Sequence, residues 1–389
     1  MVKTHKMRNE LLVFGQPLIE QEEVDEFLES VRSCWLGTGK KVALFERDFA
    51  AYKKVKFAAA VNSCSAALHL SCLALDIKPG DEVITTAMTF CATVNAIIHA
   101  GATPVLADVN PLTLNIDPAA IEKKITPRTK AIIVVHFAGR PCEMDAITAI
   151  AKKHRLFIIE DCAHAIESEY RSKPCGTMGD IGCFSFYSNK NITTGEGGMV
   201  ISNNEKLISK IKTLALHGLS ADAWNRFSDE GYKHYFVQEA GFKYNMMDLQ
   251  AAFGIHQLKR IEDYWERRKK TWDFYNSELK GLPITLPVED DPNIKNAYHL
   301  FTIRIDQPVC GLTRDEFLNK MHRMNIGCGV HYQAIPSHPY YQKAFGFKES
   351  DFPAAVKYGR ETVSIPISPK LTEQDTRDVV DAIKEILGC

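Results

Sequence analysis

The sequence predicts an α/β protein with a mostly parallel sheet between helices and a smaller C-terminal α+β part. Three observations carry that reading. Short apolar runs alternate with helix-like stretches from Phe57 to about Ser202, the pattern of consecutive βαβ units. After Leu258 the pattern gives way to charged helical sequence and Pro-rich connections. The chain has 389 residues, 45% of them hydrophobic, more than one compact core accommodates. The division falls near the change of pattern, giving a large domain over 1–258 and a small one over 259–389.

Each element has its own signal. Phe57 to Val61 reads as a strand, and Ser65 to Leu75 as a helix with Ser65 as its N-cap. Lys78-Pro79-Gly80-Asp81 turns the chain into a strand at Glu82 to Thr86. Helix follows at Ala92 to Ala100, strand at Pro104 to Ala107, helix at Asp117 to Lys124 and strand at Ala131 to Val135. Glu143 to His154 and Leu156 to Glu160 repeat the alternation, and Ile181 to Phe186 and Met199 to Ser202 extend the sheet. Beyond it, one long charged helix runs from Lys259 towards Leu279. A strand at His299 to Ile305, a helix at Thr313 to Met324 and a final helix at Glu373 to Leu387 complete the chain.

Composition narrows the function. The formal charge is −1 and the pI about 6.9, without the clustered basic residues of a nucleic-acid footprint. Arg267 to Lys270 sit among acidic neighbours and read as a solvated helix face. Met1 to Arg8 lacks the apolar core of a signal peptide, and no apolar run approaches a membrane span. Eleven cysteines without a compact repeat read as free thiols in a reducing compartment, the cytoplasm.

Four segments fall where strands end, the place where open α/β sheets bind ligands. Asn62 to Ala67 opens a helix with small residues, which suits a phosphate or merely caps the helix. Thr89-Phe90 offers an aromatic that could lie on a planar ring or belong to the core. Glu160-Asp161-Cys162-Ala163-His164 puts a carboxylate at the end of a buried strand, a costly place for a charge unless a cation meets it. A protonated pyridine nitrogen would meet it; a metal or a helix cap is the alternative. The fourth segment, Phe184 to Gly198, leaves a strand, presents Lys190 and enters Thr-Gly-Glu-Gly-Gly. A partly desolvated lysine there suits a Schiff base.

With these motifs in view, the chain resembles the DegT/DnrJ/EryC1/StrS family of sugar aminotransferases. Trp35 to Gly39 and Val330-His331-Tyr332 add to the likeness, which runs from Phe14-Gly15-Gln16-Pro17 to the last helix. Gly241 to Asn245 with Asp248 to Ala252 is similar to the branch that makes 4-amino-4-deoxy-arabinose. The resemblance implies aminotransferase fold type I, pyridoxal 5′-phosphate (PLP) as cofactor and a homodimer with shared active sites. It implies transfer of nitrogen from an amino acid, L-glutamate, to a nucleotide-linked keto-sugar.

Residue by residue, it makes Lys190 the Schiff-base lysine and Asp161 the partner of the ring nitrogen. His164 matches the residue near the phenolic oxygen, and Phe90 the aromatic stacked on the ring. Cys64, Ser65 and Ser185 match the phosphate cradle. Lys243 and Asn245 stand where the neighbouring subunit contacts the phosphate, although Lys-x-Asn replaces the commoner Asn-x-Arg. His331 and Tyr332 match a substrate loop contributed by the partner chain, and Thr38 and Glu196 are further substrate contacts.

Related dehydratases carry histidine in place of the lysine; here the residue is Lys190. A non-catalytic regulator would need a DNA-binding module or basic helix that the sequence lacks. No Gly-x-Gly-x-x-Gly turn follows the first strand, which argues against a dinucleotide-binding protein. Cys162, His164, Cys175 and Cys183 lack ordinary zinc spacing.

Overall fold

The computed structural model describes residues 8–220 and 234–389. Seven strands form the main sheet: β1 (Phe57–Val61), β2 (Glu82–Thr86), β3 (Thr103–Ala107), β4 (Thr129–Val135), β5 (Phe157–Asp161), β6 (Ile181–Ser185) and β7 (Gly198–Ser202). Their spatial order is β1-β7-β6-β5-β4-β2-β3. Strands β3, β2, β4, β5 and β6 run parallel, whereas β7 is antiparallel to both β1 and β6.

Both faces are covered, as a parallel sheet requires. Alternation divides the residues between them. Val61, Ile159, Cys183 and Val200 pack towards the helices Cys64–Ala74 and Glu205–Ala215. Ala60, Phe184, Met199 and Ile201 pack towards Lys40–Lys53 and Asp248–Lys259. This alternation decides the chemistry. Asp161 and Ser185 end their strands in phase with Ile159 and Cys183, so they share the face of the helix Cys64–Ala74. Glu160 belongs to the opposite face.

The predicted strands are all present within two residues of their expected ends. One expectation needs correction. The N-cap of Cys64–Ala74 is Ser63, whose extended backbone (φ −167°, ψ 159°) lets its hydroxyl accept from Ala66 N; Ser65 lies inside the helix. The long helix expected from Lys259 towards Leu279 is present as Ile261–Glu278, and a further helix that the sequence did not reveal, Asp248–Lys259, precedes it across Arg260, where ψ is 7°.

Beyond Arg260 the chain gathers around two antiparallel strands, β8 (Phe301–Arg304) and β9 (Thr362–Ile365). Their core joins Trp272, Tyr275, Phe317 and Ile383, and it also takes in Leu12. A further apolar cluster fastens residues 334–358 to the main sheet, with Ala334, Tyr341 and Phe352 against Met88, Val94 and Leu106. Among the described residues no helix is long and apolar enough to cross a membrane.

Candidate active site

The site forms at the carboxyl ends of β5 and β6. Asp161 is buried there. Its Oδ2 accepts from Thr93 Oγ1 at 2.8 Å and its Oδ1 from Ala163 N at 3.1 Å, and the Cys64 thiol lies 4.0 Å from Oδ1. Burial nonetheless raises its pKa above the ordinary carboxylate value, against the pull of those hydrogen bonds and of Lys190. The carboxylate is thus oriented but short of positive charge, the condition a pyridinium N–H would relieve. Thr93, in turn held by Thr89 at 2.8 Å, is a site residue that the sequence did not reveal. Its only signal is the i, i+4 spacing of two threonines at a helix start.

Lys190 lies in the loop between β6 and β7, its backbone N–H bonded to Tyr187 O at 2.9 Å. It is half-buried, and desolvation lowers its pKa to about 8 despite the neighbouring Cys64 and Asp161. A lysine of that pKa carries a substantial fraction of free amine at neutral pH, which a nucleophile requires.

Glu160 behaves differently from its neighbour. Its oxygens accept from Gly176 N, Met178 N and Gly179 N at 2.6–2.7 Å and from His136 Nε2 at 3.0 Å. His136 Nδ1 accepts from Cys142 N, so the imidazole proton on Nε2 is the one given to Glu160. Glu160, His136 and Cys175 have ligand atoms close together, yet the carboxylate is already saturated by donors and reads as an anchor for the 176–179 turn.

The predicted phosphate cradle is the amino end of Cys64–Ala74. Among the described residues the N–H groups of Cys64 and Ser65 have no acceptor. The opening strand of β7 comes very close: a Cβ on Gly198 would sit 2.5 Å from Ser63 C and 2.7 Å from Cys64 N. Ser185 is buried at the end of β6. This arrangement of free N–H groups at a helix start, with a serine hydroxyl on the same sheet face, fits a phosphate. The residues present therefore fit PLP at both of its charged ends.

His164 is buried, and desolvation together with Lys190, His299 and His331 holds its pKa well below the ordinary histidine value. Its Nδ1 accepts from Ala138 N at 3.3 Å, which leaves the proton on Nε2, donated to Tyr332 Oη at 2.9 Å. Phe90 is 57% exposed at the start of the helix Cys91–His99, its ring 5.9 Å from that of Tyr332. An aromatic left so open at a strand end is available for stacking.

The substrate loop departs from expectation. Tyr332 reaches His164 of its own chain, and His331 bonds Ser364 of β9 at 2.9 Å and stacks on Phe14 at 5.4 Å. Lys190 of the same chain helps to depress the His331 pKa to about 4, after burial. The reason is in the fold: Gly329 pairs with Ser364, and residues 334–358 pack on the main sheet, so the loop is carried back over its own β5.

Thr38 and Asn245 come together, Asn245 Nδ2 donating to Thr38 Oγ1 at 2.6 Å while Lys243 Nζ donates to Asn245 Oδ1 at 2.6 Å. Their segment runs beside the cradle, with Asn62 N bonded to Tyr244 O at 2.7 Å. Glu196 is exposed, and its carbonyl accepts from Thr194 Oγ1 and Gln250 Nε2. His299, read from the sequence only as the start of a strand, lies with its ring 4.3 Å from that of His164.

A sequence profile described as the DegT/DnrJ/EryC1/StrS aminotransferase family matches residues 17–384. The spore coat polysaccharide biosynthesis protein SpsC of Bacillus subtilis is 48% identical over 383 residues, 98% of each chain. PseC of Helicobacter pylori, an aminotransferase involved in the biosynthesis of pseudoaminic acid, superposes with a TM-score of 0.89 at 29% identity, over 98% of this chain and 100% of that one. Spr1654 of Streptococcus pneumoniae, described as a sugar aminotransferase, superposes in its PMP form with a TM-score of 0.90 at 30% identity, covering 97% and 98% of the two chains. Its PLP form is equally similar, with a TM-score of 0.90 at 29% identity over 97% of this chain and 99% of that one.

Proposed function

The chain belongs to the DegT/DnrJ/EryC1/StrS aminotransferase family, and from that premise we propose that it moves nitrogen from L-glutamate to a nucleotide-linked keto-sugar. The family is PLP-dependent, so the cofactor is PLP. The observation that carries the reading is the convergence of Asp161, buried at the end of β5 and held by Thr93 and Ala163 N, with Lys190 of the β6–β7 loop, each close enough to act on the other's charge.

PLP, when bound, supplies an electron sink for the charge left as an amino acid loses its α-proton. Lys190 would hold the cofactor, and its Nζ, as free amine, would take up and return that proton. Asp161 keeps a proton on the ring nitrogen, itself fixed by Thr93 and Ala163 N. The N–H groups of Cys64 and Ser65 with the hydroxyl of Ser185 hold the phosphate, and Phe90 covers the ring. His164 and Tyr332 lie at the phenolic side, and His331 borders the substrate, with Thr38 and Glu196 as further contacts. Lys243 and Asn245 reach the phosphate of a partner's site in a homodimer. The large domain spans 1–258 and the small one 259–389. Eleven free thiols suit the cytoplasm.

Borohydride reduction of the PLP-loaded protein followed by peptide mass mapping is expected to place the cofactor on Lys190. Lys190→Ala is expected to keep its fold and lose turnover. A label on another lysine overturns the assignment. The sugar is identified by spectral titration against a panel of amino-sugar nucleotides; free amino sugars giving equal conversion would remove the nucleotide from the proposal.

A further inference from the structure

The residue after the lysine is better anchored than the lysine itself. Asn191 is buried, and its Nδ2 donates to Glu167 Oε2 at 2.7 Å and to Ala297 O at 3.2 Å. Both acceptors demand the amide nitrogen, so the amide orientation is fixed and Oδ1 faces the other way. That oxygen meets His299 Nδ1 at 2.8 Å. An amide oxygen only accepts, so His299 must carry its proton on Nδ1.

Glu167 is clamped from the far side by Arg268, on the helix Ile261–Glu278, whose Nε also donates to Ala297 O at 3.2 Å. Glu167, Arg268, Asn191 and His299 are each at least 95% buried. Lys190, Arg268 and His299 line one cavity together with Gly15, Asn189 and Asn191. Burial, with Lys190, His331 and Arg268 as neighbours, holds His299 well below the ordinary histidine pKa. A neutral imidazole with Nδ1 protonated has Nε2 as a bare acceptor.

We propose that Asn191 is a positioning residue: clamped by Glu167 and Arg268, it fixes both the root of the Lys190 side chain and the tautomer of His299. The role follows from what the lysine must do. Nζ has to leave and return to the same point, so its side chain must swing from a backbone that does not move. Anchoring the next residue to a buried ion pair achieves that, and it couples the loop to a helix beyond Arg260. His299, its ring 4.3 Å from that of His164 and tilted by 31°, extends the same rigid frame to His164. The inference rests on Lys190 as the residue that captures the cofactor.

The test compares the unmodified chain, Asn191→Ala, and the double variant Glu167→Leu/Arg268→Met, which takes the side-chain acceptor from Asn191 and removes both buried charges together, leaving none unpaired. One readout is 15N NMR of the cofactor-free, histidine-labelled protein, with His299 assigned by His299→Gln. The second is the rate at which cofactor-free protein captures PLP, followed by visible absorbance. The unmodified chain is expected to show the Nδ1–H tautomer of His299. Both variants are expected to lose that single tautomer and to capture PLP roughly 10- to 100-fold more slowly, the scale of a misplaced reacting group.

A His299 protonated on Nε2 in the unmodified chain overturns the proposal. So does a variant that folds, by circular dichroism, yet captures PLP within about twofold of the unmodified rate, since Asn191 would then be structural alone. Should Asn191→Ala fail to fold, the double variant decides by the same two readouts. Failure of the unmodified chain to capture PLP on Lys190 would instead overturn the reading of Lys190 itself, whatever the tautomer of His299.

Discussion

At the residue scale, Asp161 and Glu160 show how one step along a strand separates two fates. Glu160 is saturated by three backbone donors and an imidazole; Asp161 is oriented by two hydrogen bonds but meets no full counter-charge. Asp161→Asn keeps the shape and removes the charge. The expected outcome is a loss of at least ~10²-fold in turnover with the fold unchanged, measured by steady-state assay, as for removal of a preorganised electrostatic contact. Near-normal turnover would mean that another group pairs with the ring nitrogen. Lys190 allows a test without cofactor. Its charge is lost through about pH 8, so acetylation of the cofactor-free protein should modify it at pH 8 well before ordinary lysines, which stay protonated beyond that range. Labelling of Lys190 that rises only near pH 10 would contradict its depressed pKa. Asp161 and Lys190 were legible in the sequence because strand alternation and the glycine-rich turn mark them. Thr93 and His299 were not. His299 precedes a strand in a connection with no periodic pattern, and only the folded chain brings it against His164.

At the element scale, the decisive contact is between the start of β7 and the start of the helix Cys64–Ala74. Gly198 has ordinary backbone angles; it is glycine because any side chain would strike the backbone of Ser63 and Cys64. Gly198→Ala is therefore expected to push the two apart, costing about 1–3 kcal/mol in stability and weakening PLP binding, read by thermal melting and PLP titration. Ser63→Ala removes only the cap and is expected to cost about 1 kcal/mol. An unchanged PLP affinity in Gly198→Ala would show that the cradle tolerates the shift. The strands of the main sheet were readable because β-branched, doubly buried runs alternate with helices. The cap was misassigned because two serines stand two residues apart, and only backbone angles tell which one caps. Strand β9 follows the helix Pro353–Glu361 directly, without a turn signal between them.

At the scale of the whole molecule, the fold decides which chain completes which site. His331 and Tyr332 lie beside the Lys190 and His164 of their own chain, so if they act there a dimer mixed from Lys190→Ala and His331→Ala chains carries one lesion in each site. Refolding the two together is expected to restore no amino transfer. Lys190→Ala mixed with an inactive Asn245→Ala behaves oppositely if Asn245 serves its partner. Half the dimers are mixed and half their sites intact, so roughly a quarter of activity should return. No recovery in that second mixture, with mixed dimers confirmed by mass, would rule out the shared phosphate contact. One further consequence follows from Leu12, which lies in the core built around β8 and β9, its backbone bonded to Asn325 O and Gly327 N, while Arg8 pairs with Asp375 and Asp378 of the last helix. The first described residues thus close the core made by the last. During synthesis at about 5–20 residues per second they must wait roughly 20–75 s for those partners to emerge. A ribosome-bound chain stopped before residue 370 should therefore leave its amino terminus open to protease, and release of the full chain should close it.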